Sequence, residues 1–150
     1  MEDGMQKVDL RELVMALETD GCICLISKGR KRYYCPRIAF VGAEEEVVDF
    51  VKLLLEKAQV HVYNKIGQSA NALGRRDLFH IWAEGNANLE PLLKMLEGKM
   101  ISSKRNRQVK LLLEWIDLRR DWRHISYSPR CDVIIKEVSR LNKGESAKLG

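Results

Sequence analysis

An aspartate followed by a glycine, Asp20–Gly21, ends the first segment of the chain that repeats with helical spacing. Apolar residues between positions 10 and 17 recur at steps of three and four, as on one face of a helix. A carboxylate at a helix C-terminus adds to the partial negative charge of the free carbonyl groups, which is unfavourable unless a cation is near. Two such helix ends side by side would form a strongly negative site for a divalent metal. The alternative is a helix cap and turn with no chemical role.

Basic side chains are concentrated in two predicted β-hairpins, residues 22–42 and 60–83. A sheet that lies in the major groove of DNA needs one polar, basic face and one apolar face against helices. Arg and Lys suit phosphate and guanine, and Asn and Gln suit adenine. The alternative is a pair of solvated basic turns. Because basic residues occur in both hairpins, nucleic-acid binding is favoured. The candidate DNA-binding residues are Lys28, Arg30, Lys31, Arg32, Tyr34, Arg37, Asn64, Lys65, Gln68, Arg75, Arg76 and His80.

Length and composition indicate one soluble, intracellular domain. The chain has 150 residues and a formal net charge of +5, which leans towards a polyanionic partner. The N-terminus lacks a signal-peptide pattern, and no apolar run approaches the ~20 residues of a membrane span. The four cysteines form no CxxC pair, no nucleotide-binding glycine loop is present, and the three histidines are scattered. We therefore expect reduced thiols, no nucleotide cofactor and no membrane partner. The three tryptophans are expected in the core or at a dimer contact.

The order of predicted elements is helix, hairpin, helix, hairpin, helix, helix, helix, which indicates an α+β fold with an antiparallel sheet covered on one face by helices. Pro36 interrupts the second strand and suggests an edge position or a bulge. Residues 1–144 are predicted to form the domain and residues 145–150 a disordered tail. The predicted helices are residues 10–19, 43–58, 88–100, 102–123 and 128–141, and the predicted strands are residues 22–27, 33–42, 60–66 and 77–83.

Residues 13–21, LVMALETDG, resemble the LAGLIDADG motif of homing endonucleases. They keep the first Leu, the apolar middle, an acidic residue at the sixth place and the terminal Asp-Gly. The αββαββα order around the motif, and the basic and then helical segment after Gly98, are also similar to that family over roughly residues 7–123. The chain thus resembles the single-motif type, whose sheet forms a saddle for DNA.

The resemblance implies an intron-encoded, Mg²⁺-dependent endonuclease that cuts both DNA strands. In the family, two motif helices pack together and join their acidic residues around the metal, so Asp20 is the implied ligand, with the Gly21 carbonyl nearby. One motif supplies one aspartate, so the chain must form a homodimer, and its two-fold axis implies a roughly palindromic target. The third and seventh motif positions are small in the family but are Met15 and Thr19 here, which would widen the helix spacing. The implied interface residues are Leu13, Val14, Ala16 and Leu17.

Further catalytic roles follow from the same resemblance. A basic residue about three places before Gln108 is implied to stabilise the scissile phosphate; Lys104 and Arg105 both fit, and Lys104 is preferred. Arg105 and Arg107 are further DNA-binding candidates. A polar residue at the end of the second strand often holds the nucleophilic water, and Glu44 is nearest that place. Glu18, the acidic residue at the sixth motif position, is implied to be structural.

Two alternatives use the same scaffold: an RNA-binding intron maturase, and a DNA-binding protein that does not cut. The presence of Asp20 favours the endonuclease, because a protein that only binds has no need of a metal carboxylate.

Overall fold

The computed structural model describes residues 5–28, 33–71, 74–122 and 128–149, and all side chains in these ranges other than those of 68–71, 74–76, 121–122 and 144–149. The element order confirms the predicted α+β fold. Among the described residues, no helix is both long enough and apolar enough to cross a lipid bilayer. The elements are α1 (Lys7–Asp20), β1 (Gly21–Lys28), β2 (Tyr33–Gly42), α2 (Glu45–Lys57), β3 (Tyr63–Asn71), β4 (Gly74–Glu84), α3 (Asn86–Leu96), α4 (Ser103–Trp122) and α5 (Pro129–Leu149).

The four strands form one antiparallel sheet in the order β1-β2-β4-β3. Ile23 of β1 pairs with Ile38 of β2, and Ile38 pairs with Ala83 of β4. All three of these side chains are fully buried. Because side chains alternate between the two faces of a strand, the residues between them point to the opposite, helix-free face.

The core lies between the sheet and the helices. Leu13 and Leu17 of α1 and Trp115 of α4 are fully buried beside the inward isoleucines of the sheet. Gln108 of α4 is the largest departure from this apolar interior, since its amide is also fully buried. Its hydrogen bonds are described with the functional site below.

Pro36 lies in a central strand, which corrects the predicted edge position. It pairs with Leu25 on the β1 side, but the pairing of β2 with β4 begins only at Arg37. The Pro36 carbonyl accepts a hydrogen bond from the Gly85 amide, just past the end of β4, at 3.1 Å. The missing N–H of the proline thus faces the side where the ladder has already ended, so no ladder bond is lost.

Several element boundaries differ from the prediction, at α1, β3, β4 and α5 among others. α1 begins at Lys7, where the Asp9 carboxylate accepts a hydrogen bond from the backbone N–H of the preceding turn and pairs with a lysine of α2. β3 extends to Asn71 and β4 begins at Gly74, so most of the predicted polar loop is strand. α5 continues to Leu149 through most of the predicted disordered tail, where its Glu, Ala and Lys residues have high helix propensity.

Candidate functional site

α1 passes directly into β1 at the Asp20–Gly21 junction. Asp20 is exposed at the end of the helix, whereas Gly21 is buried. The Gly21 amide donates a hydrogen bond to the Leu17 carbonyl, and a Cβ added at Gly21 would lie 2.6 Å from the Leu17 Cα. Only glycine fits this close approach of strand to helix. The junction therefore holds the Asp20 carboxylate at one end of the sheet.

Arg105 links the junction to α4 and α5. Its Nη2 donates to the Gly21 carbonyl at 2.6 Å, and its Nη1 donates to Gln108 Oε1 at 3.2 Å. Gln108 Nε2 in turn donates to Asn142 Oδ1 at 2.9 Å, and Asn142 Nδ2 donates to the Ile23 carbonyl at 3.2 Å. Three side chains from two helices thus fix both the first and the third residue of β1.

This network distinguishes the two basic residues that the sequence could not separate. The guanidinium of Arg105 is engaged at the junction, while Lys104 is half-buried and has no ion-pair or hydrogen-bond partner among the described residues. The guanidinium also places a fixed positive charge on the Gly21 oxygen, which repels a second cation there. The structure therefore argues against the Gly21 carbonyl as a metal ligand and leaves the Asp20 carboxylate as the candidate of this segment.

One copy of the chain does not provide a complete metal site. Within the ranges that the structure describes, no three His, Cys, Asp or Glu side chains are grouped to hold a metal ion. Mg²⁺ is commonly bound by one or two carboxylates together with substrate phosphates and water. The single exposed Asp20 fits such a site only if further oxygen ligands come from a second copy or from a phosphate.

Three basic side chains act on the Cys22 thiol, next to the junction. The pKa of this thiol is lowered to about 6. The main cause is a hydrogen bond with Cys24; burial opposes it, and the charges of Arg105, Arg37 and Lys104 reinforce it. The charges of α4 and of β2 therefore both reach the first residues of β1.

Four of the predicted DNA-binding residues lie on the helix-free face. Cross-strand pairing and the alternation of side chains place Lys28, Arg37, Lys65 and His80 on this face, and the last three line a groove of 330 Å³. Lys65 and His80 are direct cross-strand partners. The structure thus brings these four residues together on the helix-free face.

Three predicted DNA-binding residues are placed elsewhere. Tyr34 lies on the helix side of β2, with its ring 6.5 Å from that of Trp115. Asn64 pairs with the buried Ile81 and so shares the helix side. Arg107 makes a two-point contact with Glu137 of α5, at 3.0 and 3.2 Å, which neutralises its charge within the chain.

The remaining predicted DNA-binding residues cannot be placed in the same way. Arg30, Lys31 and Arg32 lie outside the described residues, and Gln68, Arg75 and Arg76 belong to strands whose side chains there are not described.

Trp82 corrects the prediction that the tryptophans lie in the core or at a dimer contact. It lies on the helix-free face, stacked on Tyr63 with ring centroids 5.7 Å apart, and the Arg37 guanidinium is 5.5 Å from its ring. Its indole nitrogen donates to Glu84 Oε1 at 3.0 Å. The signal was present in β4, where Trp82 and Glu84 alternate with the buried Ile81 and Ala83.

The outer surface of α1 differs from the predicted dimer interface. Leu13 and Leu17 are fully buried in the chain's own core, so they offer no surface to a second copy. Met15, which occupies the third motif position, is 50% exposed, and Ile101, which the sequence did not indicate, is 62% exposed. Both line a mostly apolar groove of 290 Å³, whose other lining residues are Lys7, Leu10, Arg11, Val14 and Lys99.

Solved structures of homing endonucleases match most of the chain. The homing endonuclease I-TnaI has a TM-score of 0.60 at 12% identity, covering 92% of this chain and 96% of its own. The LAGLIDADG meganuclease I-AabMI, bound to uncleaved DNA, has a TM-score of 0.57 at 15% identity, covering 91% and 46%. The LAGLIDADG homing endonuclease I-GzeII, in complex with its DNA target, has a TM-score of 0.56 at 10% identity, covering 92% and 44%. The chain has the LAGLIDADG homing-endonuclease fold.

The extent of each match differs. The chain spans nearly all of I-TnaI but less than half of I-AabMI and I-GzeII. No protein-family model matches the sequence, and no curated protein does. The likeness therefore establishes the fold of this chain.

Within this LAGLIDADG fold, Glu18 anchors α1 to the start of α4. Its Oε1 accepts hydrogen bonds from the Ile101 and Ser102 amides at 2.8 and 2.9 Å, and its Oε2 accepts from the Ser102 hydroxyl at 2.6 Å. Burial raises the pKa of Glu18, but these hydrogen bonds and the charge of Arg105 outweigh it and hold the pKa below 4.5. These contacts agree with the structural role expected of the sixth motif position.

Replacing Glu18 with Ala is expected to lower the free energy of unfolding by about 1.5 kcal/mol, because three hydrogen bonds to a half-exposed carboxylate are lost. Urea denaturation measures this difference. Since the folded-state pKa is depressed, the contribution is present above the unfolded value of 4.5 and is lost as the pH falls through the folded pKa. The matched control is Glu12→Ala at an exposed position of α1, and an equal loss of stability in both variants would contradict the anchoring role.

Glu44 lies beyond the same end of the sheet as Asp20. Gly21 pairs with Phe40, and Glu44 follows four residues later as the residue that precedes α2, with its carboxylate exposed. Its carbonyl accepts the first hydrogen bonds of that helix. The role of its side chain in holding a water molecule stays a prediction.

Proposed function

We propose that the protein is a Mg²⁺-dependent, site-specific DNA endonuclease, encoded in an intron, that cuts both strands of a long and roughly palindromic target as a homodimer. One observation carries the proposal: an exposed aspartate ends α1 at the point where the chain enters β1, the first strand of the sheet that carries the basic, helix-free face. A carboxylate in that place is electrostatically unfavourable for the isolated chain, because it adds to the negative end of the helix dipole.

The helix-free face supports DNA as the partner. Its cationic side chains include Lys28, Arg37 and Lys65, and helices cover only the other face, so the sheet is open to a duplex. A β-sheet can enter the major groove and place side chains against base edges. Two structures with the same fold, those of I-AabMI and I-GzeII, contain bound DNA.

The outer surface of α1 supports the homodimer. Met15 and Ile101 expose apolar side chains in a groove beside the motif helix. Covering this groove with the same surface of a second copy would bury both residues and bring the two α1 C-termini close together. Such a contact is isologous, so the active assembly has two-fold symmetry and its target has two similar half-sites.

Each part of the catalytic chemistry has a candidate residue in the structure. The Asp20 carboxylates of the two copies would hold the divalent metal, which supplies charge neutralisation for phosphodiester hydrolysis when bound. Arg105 fixes the Gly21 carbonyl and thereby the position of Asp20. Lys104, which lacks an internal partner among the described residues, would contact the scissile phosphate, and Glu44 would orient the attacking water.

A cleavage assay tests this function. The substrate is a plasmid that carries the host gene without its intron, incubated with the protein in the presence and absence of Mg²⁺. We expect a linear product at one site with Mg²⁺ and none with a chelator. Binding without cleavage under both conditions would favour the maturase or the non-cleaving protein instead.

A further inference from the structure

Glu84 is a carboxylate near the middle of a surface that is otherwise cationic. Its side chain is 11% exposed and lies on the helix-free face, directly opposite Arg37 in the β2–β4 ladder. Its oxygens form an ion pair with Lys28 Nζ at 2.5 Å and accept a hydrogen bond from the Trp82 indole nitrogen at 3.0 Å. They also accept hydrogen bonds from Arg37 Nη2 and Cys35 Sγ, at 3.4 Å each. One acidic group thus holds Lys28 and Arg37, two of the described basic side chains of the helix-free face.

The carboxylate is charged at neutral pH. Burial raises the pKa of Glu84, but hydrogen bonds from Lys28, Cys35 and Trp82 and the charge of Arg37 hold it below 4.5. A negative charge here opposes the approach of any phosphate, whatever the DNA sequence. It also neutralises part of the charge that would otherwise bind the DNA backbone.

Arg37 is the basic side chain of the groove that Glu84 contacts. Its guanidinium is held between the Glu84 carboxylate and the Trp82 ring, at 3.4 and 5.5 Å. Its Nε is buried and out of reach of a ligand, so the terminal Nη1 and Nη2 atoms are the donors that a ligand in the groove could meet. A fixed guanidinium suits bidentate recognition of a guanine edge, whereas a mobile cation follows the phosphate backbone.

We propose that Glu84 is a specificity-determining residue of the helix-free face, which orients Arg37 towards a base edge and weakens binding to phosphate of any sequence. This inference rests on the proposed DNA binding. Glu84 acts through Arg37, so it is a positioning residue and takes no part in phosphodiester hydrolysis.

The test is selection from a pool of random-sequence duplexes, followed by sequencing of the bound fraction. Wild-type protein is expected to enrich a site with a fixed base at one position in each half-site. Glu84→Gln is expected to lose that preference and to bind the unselected pool roughly up to tenfold more tightly at 0.1 M salt, because one opposing charge per copy is removed. Glu56→Gln is the matched control, since it makes the same charge change on α2, behind the sheet, and should alter neither quantity.

A second variant keeps the test decisive if Glu84→Gln folds poorly. Arg37→Lys retains the ion pair with Glu84 but lacks the planar guanidinium that can donate two parallel hydrogen bonds. It should therefore lose the same base preference, without binding the pool more tightly. Unchanged base preference in both variants would overturn the inference and leave DNA binding standing. If the wild-type protein binds no duplex from the pool, the proposed function fails together with the inference.

Discussion

Asp20→Asn is expected to lower the rate of double-strand cleavage by at least about a thousandfold, because each active assembly loses the carboxylates that hold its metal. DNA binding should be retained or strengthened, since a negative charge is removed from the surface that meets the phosphates. The fold should be unaffected, because Asp20 is exposed at the end of α1. Single-turnover cleavage and binding titrations on the same duplex separate the two effects.

Asp49→Asn is the control for Asp20→Asn. It removes the same charge from an exposed position on α2, behind the sheet, and should cut at the wild-type rate. If Asp20→Asn cut within about tenfold of the wild-type rate, the aspartate would be a structural helix end and the metal site would lie elsewhere.

Met15→Asp is expected to abolish cleavage by a different route, by preventing the two copies from associating. In a symmetric interface the substitution places two carboxylates in the groove beside α1. Each carries a desolvation penalty of several kcal/mol, which pairing with Arg11 or with the lysines of the groove offsets only in part. The dissociation constant of the dimer should therefore rise at least about a hundredfold. Sedimentation over a concentration series measures the shift, and the monomer should unfold much as the wild type does because Met15 is 50% exposed.

Val47→Asp is the matched control for the interface. Val47 is also an apolar side chain exposed at 50%, but it lies on α2 and outside the groove. It should leave both association and cleavage unchanged. A dimer of normal strength in Met15→Asp would place the interface on another surface.

The periodicity of α1 could predict a helix and its end at Asp20, but not how its apolar positions are divided. Leu13 and Leu17 have the spacing of an apolar stripe. Such a stripe can pack into the chain's own core or against a helix of a second copy. The sheet and α2 decide the matter, because α1 packs against them and both leucines are completely buried. Met15 lies off that stripe, and the motif resemblance rather than the periodicity indicated that it faces a partner helix.

The choice between Lys104 and Arg105 depends on a tertiary contact. Neighbouring residues of a helix point about 100° apart, so a shift of one residue at the helix start exchanges their directions. Glu18 fixes that start by binding the Ile101 and Ser102 amides, which aims Arg105 at the Gly21 carbonyl. These contacts join residues more than eighty positions apart, so no local pattern in the sequence indicates them.

The helix-free face could be predicted where the strand alternation is regular. Arg37 and His80 each lie between apolar residues, and the structure places both on the open surface. Trp82 follows the same alternation, but its type suggested the core. The partnership of Trp82 with Glu84 and Arg37 depends on the register of β2 with β4, which the sequence does not specify.

The most direct measurement is a crystal structure of the protein with its target duplex and Mn²⁺ in place of Mg²⁺, with the metal located by its anomalous scattering. The proposed function predicts two copies on one duplex and a cation bound by the Asp20 carboxylates of both. A single copy on the duplex, or two Asp20 side chains far apart with the cation held by other residues, would contradict it.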